Sequence, residues 1–307
     1  MQVLTFLLKR FGWMIVTVWI VFTVSFFLMR QIPGGPFNGE RVLSEAVRAR
    51  LEARYNLDAP ISEQYFTHLW NTVQLDFGPS FKMQDFTVNE VLAQGFPVSA
   101  ALGILGMVFA ISIGMTSGVV SAVRRNSAYD YSFMLLATLG IAIPNFVLAA
   151  LLIVVFVFNL QMFPAAGWGD ISQIILPAFC LGAPFAGYIA RLTRTGMLEV
   201  LGNDYIRTAY AKGLSPRTVV LKHGLRGALL PVVSYLGPAI AGILTGSLVL
   251  ERIFVIPGMG SHFIEAAIQR DYTLAMGALL TYTVLLFVMN TLVDLAYSII
   301  DPRVHLE

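Results

Sequence analysis

DYIRTAYAKGLSPRTVVLKHGLRGALLP, residues 204–231, is a polar, basic segment set between apolar runs long enough to cross a bilayer. Asn203 and Asp204 suit the start of a short helix, and Gly213 suits the left-handed position that ends one. Ser215 followed by Pro216 is an N-cap and N1 pair that opens another. The pattern predicts helix, glycine, helix. A helix that stops and restarts within one loop makes a compact knob, and such a knob fits a groove on a partner protein. A basic amphipathic segment lying on anionic lipid is the other reading of the same residues.

Composition limits the rest of the chain. Of 307 residues, 57% are hydrophobic and 12% charged, and the mean hydropathy is +0.73, values that place the chain in a membrane. A net charge of +2 makes no case for nucleic acid as a partner. The lone Cys180 allows neither an intramolecular disulfide nor a cysteine metal cluster, and in its apolar run it reads as a small buried hydrophobe. Lys9 and Arg10 precede an apolar run from Phe11 to Met29 that is longer than a signal-peptide core and lacks a small-residue cleavage site, so it reads as an uncleaved first span.

That span ends at Arg30, Pro33, Gly34, Gly35 and Pro36. A polar insertion follows, in which Val47, Leu51 and Tyr55, and then Ile61, Tyr65, Leu69 and Val73 after Pro60, predict two amphipathic helices. From Arg30 to Phe96 there are eight acidic and six basic residues, a near balance that favours a solvated cap over a lipid-adsorbed one. Five more spans fall at about 98–121, 131–158, 172–192, 229–250 and 273–298. Arg124 and Arg125 follow the second span, while Arg191, Arg194, Arg207, Lys212, Arg217, Lys222 and Arg226 fill the loop after the fourth. The loop at 167–170 has no Lys or Arg, so the positive-inside rule puts both termini in the cytoplasm and the insertion outside. The expected architecture is therefore an all-α integral membrane protein of six transmembrane helices. It divides into a tail and first span at 1–30, an extracytoplasmic insertion at 31–96, and a five-helix core at 97–307 carrying a cytoplasmic loop at about 193–228.

Gly114 and Gly118, and again Gly242 and Gly246, sit four apart on one helix face, where small residues let helices approach closely. Pro144, Pro184 and Pro238 fall inside predicted spans and should kink them. None of the four lysines follows a glycine, so the chain has no phosphate-cradling P-loop. His68, His223, His262 and His305 are scattered without a metal-ligand pattern, and no GxSxG or other nucleophile set points to an enzyme. Asp294, with Asn290 one turn before it, is the one acid expected inside a span. In a proton-coupled carrier it would be the first suspect, although pairing with an Arg of the inner loop explains it as well.

The central loop resembles the coupling loop of membrane subunits of binding-protein-dependent ABC importers, whose pattern is Glu-Ala-Ala, three residues, Gly, then a nearby Leu-Pro. Aligned on Gly213, residues Arg207, Thr208 and Ala209 stand where Glu-Ala-Ala would, and Leu230-Pro231 supplies the end. The Glu is absent and the interval from Gly213 to Pro231 is longer than the general pattern. Both departures are similar to the branch that imports peptides and nickel, where TAxAKGL replaces the standard form, as in Thr208-Ala209-Tyr210-Ala211-Lys212-Gly213-Leu214 here. PGGPFNGER at 33–41, LDFGPSFK at 75–82, GFPVSAALG at 95–103, ERIFVIPGMG at 251–260 and Asp301-Pro302-Arg303 are most similar to the oligopeptide-importing members of that branch.

The resemblance implies a non-catalytic permease subunit of a bacterial inner (plasma) membrane importer. Its implied partners are a second, similar permease, two ABC ATPases that bind ATP and Mg²⁺ in its place, an extracytoplasmic peptide-binding protein, and membrane lipid. The chain itself would bind no cofactor. Arg207, Thr208, Ala209, Tyr210, Ala211, Lys212, Gly213 and Leu214 would dock on an ATPase, and the periplasmic insertion at 31–96 would meet the binding protein or the sister subunit. Dipeptide, glutathione or nickel importers of the same branch, and a proton-coupled carrier built on Asp294, are the alternatives.

Overall fold

A computed structural model describes residues 2–32, 57–83, 85–245 and 247–300 of the chain, and among them it is helical, with only an isolated bridge between Pro79 and Thr87. The first of the two predicted insertion helices, at Val47, Leu51 and Tyr55, lies outside the described residues, as do the 33–41 motif, Gly246 and the terminal Asp301-Pro302-Arg303. In chain order the helices are α1 (Gln2–Gln31), α2 (Ile61–Val73), α3 (Val88–Val123), α4 (Ala128–Ala142) and α5 (Asn145–Leu152), the last continuing into a π-helical stretch at Ile153–Asn159. There follow α6 (Ile171–Leu201), α7 (Asp204–Ala211), α8 (Pro216–Thr218), a π-helical Val219–Gly224 and α9 (Leu225–Ala228). The last four are α10 (Leu230–Thr245), α11 (Leu248–Ile253), α12 (Met259–Gln269) and α13 (Tyr272–Ile300).

Four helices, α1, α3, α6 and α13, are long and apolar enough to cross a membrane, and α4 with α5 makes a fifth if the bent pair is one span. The span expected at 131–158 is thus not a single rod. Pro144 has no N–H to give the helix before it, and the two halves diverge by 114° across Ile143 and Pro144. Pro184 and Pro238, in contrast, sit within the uninterrupted α6 and α10. The span expected at 229–250 corresponds to α10 followed by the short α11, and the one expected at 98–121 begins ten residues earlier, at Val88.

The chain forms two compact units, and the division between them falls within α3 and α13. In the first, comprising residues 1–98 and 257–291, Phe22 and Phe26 of α1 cluster with Met276 and Leu280 of α13 and with Tyr65 and Leu69 of α2. Val88, Val91 and Leu92 pack on Met259, Ala266, Leu274 and Ala278. Asp271 stands before α13 as its cap, accepting from Leu274 N at 3.1 Å, and the hydroxyl of Ser80 donates to it as well.

In the second unit, comprising among the described residues 99–256 and the end of α13 from Leu292, α6 is the central element. Gly114 and Gly118 let α3 lie against it so closely that a Cβ on either would stand 2.7 Å from the Ala186 oxygen or 2.6 Å from the Ala190 oxygen. The close approach expected of this glycine pair is what the structure contains. Gly187 of α6 makes the same kind of contact with the Ala137 carbonyl of α4. Cys180 is fully buried in α6.

Because the obstructing atom at Gly118 is backbone, a side chain there forces the helices apart. Gly118→Val is expected to destabilise the chain by about 2 kcal/mol or more, whereas Gly242→Ala, whose Cβ would meet only the Phe185 ring at 3.6 Å, is expected to be tolerated. Thermal unfolding of both variants in mild detergent checks this, and equal midpoints would contradict it.

Candidate functional site

The segment 204–231 folds as its residues dictate. Asn203 takes the extended backbone of an N-cap, without a side-chain bond to the helix, and α7 runs from Asp204 to Ala211. The helix closes with Lys212 N donating to Thr208 O at 3.0 Å, Gly213 N to Tyr210 O at 2.9 Å and Leu214 N to Ala209 O at 3.3 Å. Gly213 has φ +77°, the left-handed conformation that costs a side chain of order 1 kcal/mol or more. The Ser215 hydroxyl accepts from Thr218 N at 3.3 Å, and Pro216 occupies N1 of α8.

One face of this knob is anchored. Ile206 and Ala209 of α7, Val219 and Ala228 are buried in a cluster with Met197 and Val200 of α6 and Ala122 of α3. The other face is open: Arg207, Thr208, Tyr210, Ala211, Lys212, Gly213 and Leu214 are all exposed. Of the eight residues expected to contact a partner, only Ala209 turns inward, 7% exposed, so it supports the knob from within. Tyr205 and Tyr210, each about half exposed, flank the buried Ile206–Ala209 side, Leu214 is exposed beyond the helix end, and the cations Arg207, Lys212, Arg217 and Lys222 are exposed along the same segment. Asp204 pairs with Arg207 at 3.4 Å, but both are so exposed that the pair adds little. Exposed tyrosine, leucine and basic side chains on one short segment suit a groove with apolar and acidic character on another protein.

Asn290 and Asp294 lie one turn apart on α13, both half-buried. Two other acids, at the edges of the expected spans, are more deeply buried than Asp294. Asp130, in the first turn of α4, is 2% exposed and grips Arg194 of α6 with both oxygens, Oδ1 to Nε at 2.7 Å and Oδ2 to Nη2 at 2.8 Å. It also accepts from the Ser121 hydroxyl at 2.6 Å and Asn126 N at 2.9 Å. Glu251 is fully buried in α11, accepting from Ser99 Oγ at 2.7 Å and from the Ser247 hydroxyl. Both acids stand one residue outside a predicted span, before Tyr131 and after Leu250, and so read as loop residues. The pairing of Asp130 with Arg194, 64 positions apart, leaves no local signal.

A recess of about 430 Å³ opens along α3, α4 and α6, lined by residues such as Phe109, Phe133, Leu136, Ala183 and Ala186. Its one hydroxyl, on Ser117, already donates to Ile113 O at 2.7 Å. Such a surface suits an acyl chain or an apolar helix, not a peptide backbone with N–H and C=O groups to satisfy. Among the described residues no three His, Cys, Asp or Glu side chains gather as a metal set.

The model of the family described as binding-protein-dependent transport system inner membrane component matches residues 106–306. The dipeptide transport system permease of Bacillus subtilis (strain 168) is 50% identical over 302 residues, 98% of each chain. The oligopeptide transport system permease of Salmonella typhimurium (strain LT2) is 45% identical over 304 residues, 98% of this chain and 99% of that one. Among solved structures, the MetNI methionine ABC transporter in inward-facing conformations superposes with a TM-score of 0.53 at 21% identity, over 68% of this chain and 94% of that one.

Removing Arg194 leaves Asp130 buried without its counter-charge. Arg194→Met is expected to cost about 3 kcal/mol, and Asp130→Asn combined with Arg194→Met less than the sum of the two single changes. Unfolding midpoints of the three variants check this; strict additivity would contradict it.

Proposed function

The chain belongs to the family of binding-protein-dependent transport system inner membrane components, and from that premise we propose that it is the permease subunit of an ATP-driven importer of oligopeptides handed over by an extracytoplasmic binding protein. The observation that carries the reading is the knob at 204–214, buried on the side of Ile206 and Ala209 and open on the side of Tyr210 and Leu214. End-to-end identity with named peptide permeases supports the substrate class. The 50% identity to a dipeptide permease favours dipeptides as the second reading of the cargo.

In this account the chain does no chemistry. It forms half of a pore with a second permease, its termini and the knob lie in the cytoplasm, and ATP and Mg²⁺ bind to two partner ATPases. When ATP closes those partners, the grooves holding the two permeases' knobs draw together. The pull on the open face of α7 passes through Ile206 and Ala209 to Met197 and Val200 of α6, which share one buried cluster. From α6 it reaches α3 at Gly114 and Gly118, and α4 at the Asp130–Arg194 pair. Spans locked in this way move together, which is what opening a pore to the other side requires. No change of protonation takes part in the coupling, which separates this reading from a carrier driven through Asp294.

Gly213→Val is expected to abolish ATP-dependent peptide uptake in proteoliposomes holding the complete importer, without reducing membrane insertion. No atom lies within 4 Å of a Cβ at Gly213, so the defect is one of backbone conformation, and Gly213→Asn, which tolerates φ > 0, is expected to retain much of the uptake. Wild-type uptake by Gly213→Val would contradict the knob's role. Uptake that persists without ATP and is lost in Asp294→Asn would replace the importer with a proton-coupled carrier. Competition by peptides of two and of five residues distinguishes the two cargo readings.

A further inference from the structure

The near balance of charge between Arg30 and Phe96 predicts a water-exposed cap, yet the geometry of α2 points elsewhere. Tyr65 stacks on Phe27 of α1 with centroids 5.9 Å apart and meets Phe22 edge-on at 5.6 Å. Its hydroxyl lies 2.9 Å from Thr23 Oγ1 and accepts from Trp19 Nε1 at 3.1 Å. These partners fix the depth of α2. The nineteen uncharged residues between Arg10 and Arg30 cover ~28 Å at ~1.5 Å per residue, the thickness of a hydrocarbon core. On that scale Phe22 lies about 12 Å, and Trp19 about 16 Å, inside the level of Arg30. Arg30 lies 3.4 Å over the Phe26 ring of its own helix and is held to α2 by donating to Gln64 Oε1 at 2.6 Å.

The polarity of α2 is not that of a helix sorted for water on its outer face. Gln64 is buried, and its amide donates to the Leu57 and Ala59 carbonyls at 3.0 and 2.8 Å. The face turned away from α1 carries Phe66 and Trp70, each 66% exposed, and Val73, all within an arc of about 60°. Of the charged residues in the insertion, only Glu63 belongs to α2; it is exposed in the first turn, at the edge of this face and next to the level of Arg30, and Ser62 and Thr67 flank the same arc. Phe66 meets Tyr65 edge-on at 5.3 Å, and Tyr65 stacks on Phe27, so a chain of ring contacts links the exposed Phe66 to α1. Close helix contacts in membranes use small residues; this face presents large rings and a Trp, which suit acyl chains and the headgroup boundary.

We propose that α2 is a membrane-embedded helix, seated in the leaflet on the Arg30 side of α1, with Phe66, Trp70 and Val73 against lipid acyl chains. Docking by soluble partners then falls on other parts of the insertion. The inference rests on α1 being a span and not on the nature of the cargo.

Site-directed spin labelling tests it in the full chain with its native partners, in vesicles of phosphatidylethanolamine and phosphatidylglycerol, with Cys180→Ala as background. A nitroxide at Phe66→Cys or Trp70→Cys is expected to collide more with oxygen than with a nickel chelate, as at the lipid reference Val24→Cys on α1. Greater access to the chelate would overturn the proposal in favour of water, and low access to both would overturn it in favour of a protein cover. Should the cysteine variants fail to assemble, Trp70 can report directly, as the difference in fluorescence between the unaltered chain and Trp70→Phe. Quenching by brominated acyl chains supports the proposal; quenching by aqueous iodide alone, or by neither, overturns it.

Discussion

Lipid tails are as apolar as leucine, so helices in a bilayer gain little by burying hydrophobic side chains against each other and hold together by close packing instead. In this chain that packing is backbone on backbone. Gly114 and Gly118 of α3 face the Ala186 and Ala190 carbonyls of α6 with no room for a methyl group, and Gly187 stands in the same way against Ala137 of α4. The contact makes α3, α4 and the 31-residue α6 a stiff assembly, and the bidentate Asp130–Arg194 pair ties α4 to the end of α6 that carries the knob. Without that stiffness a pull on α7 would be absorbed as bending. With it, motion at one short surface helix is motion of the spans.

How far the sequence revealed this depended on whether the determining interactions were local. The knob was legible residue by residue, because a left-handed glycine and a Ser-Pro cap act within a few positions, and Gly213 and Ser215 behave as their types require. The inward turn of Ala209 could also have been read, since Ile206 and Ala209 are apolar and three apart on a polar helix. The Gly114 and Gly118 contact was legible from spacing. Pro144 was legible as a break, but its size, 114°, depends on what α5 packs against. The early start of α3 at Val88 was not legible, because hydropathy marks membrane depth while the helix also runs through Glu90 and Gln94. The partners of Asp130 and Glu251 were hidden because the contacts join residues far apart in sequence.

The insertion shows the same limit from another side. A charge count over 31–96 averages α2 with its neighbours, whereas the structure separates a helix bearing one carboxylate and an outward aromatic face from the charged residues around it. Depth, read from the side chains of α1 that Tyr65 touches, says more about its surroundings than composition does.

The account turns on the open face of the knob being seated in an ATPase, and a photo-crosslinking amino acid in place of Tyr210, in the assembled and transporting importer, tests that most directly. The account predicts a covalent product with an ATP-binding subunit, formed at Tyr210 and not from the inward-facing Ala209. Cross-linking to lipid alone, with uptake unimpaired, would contradict it.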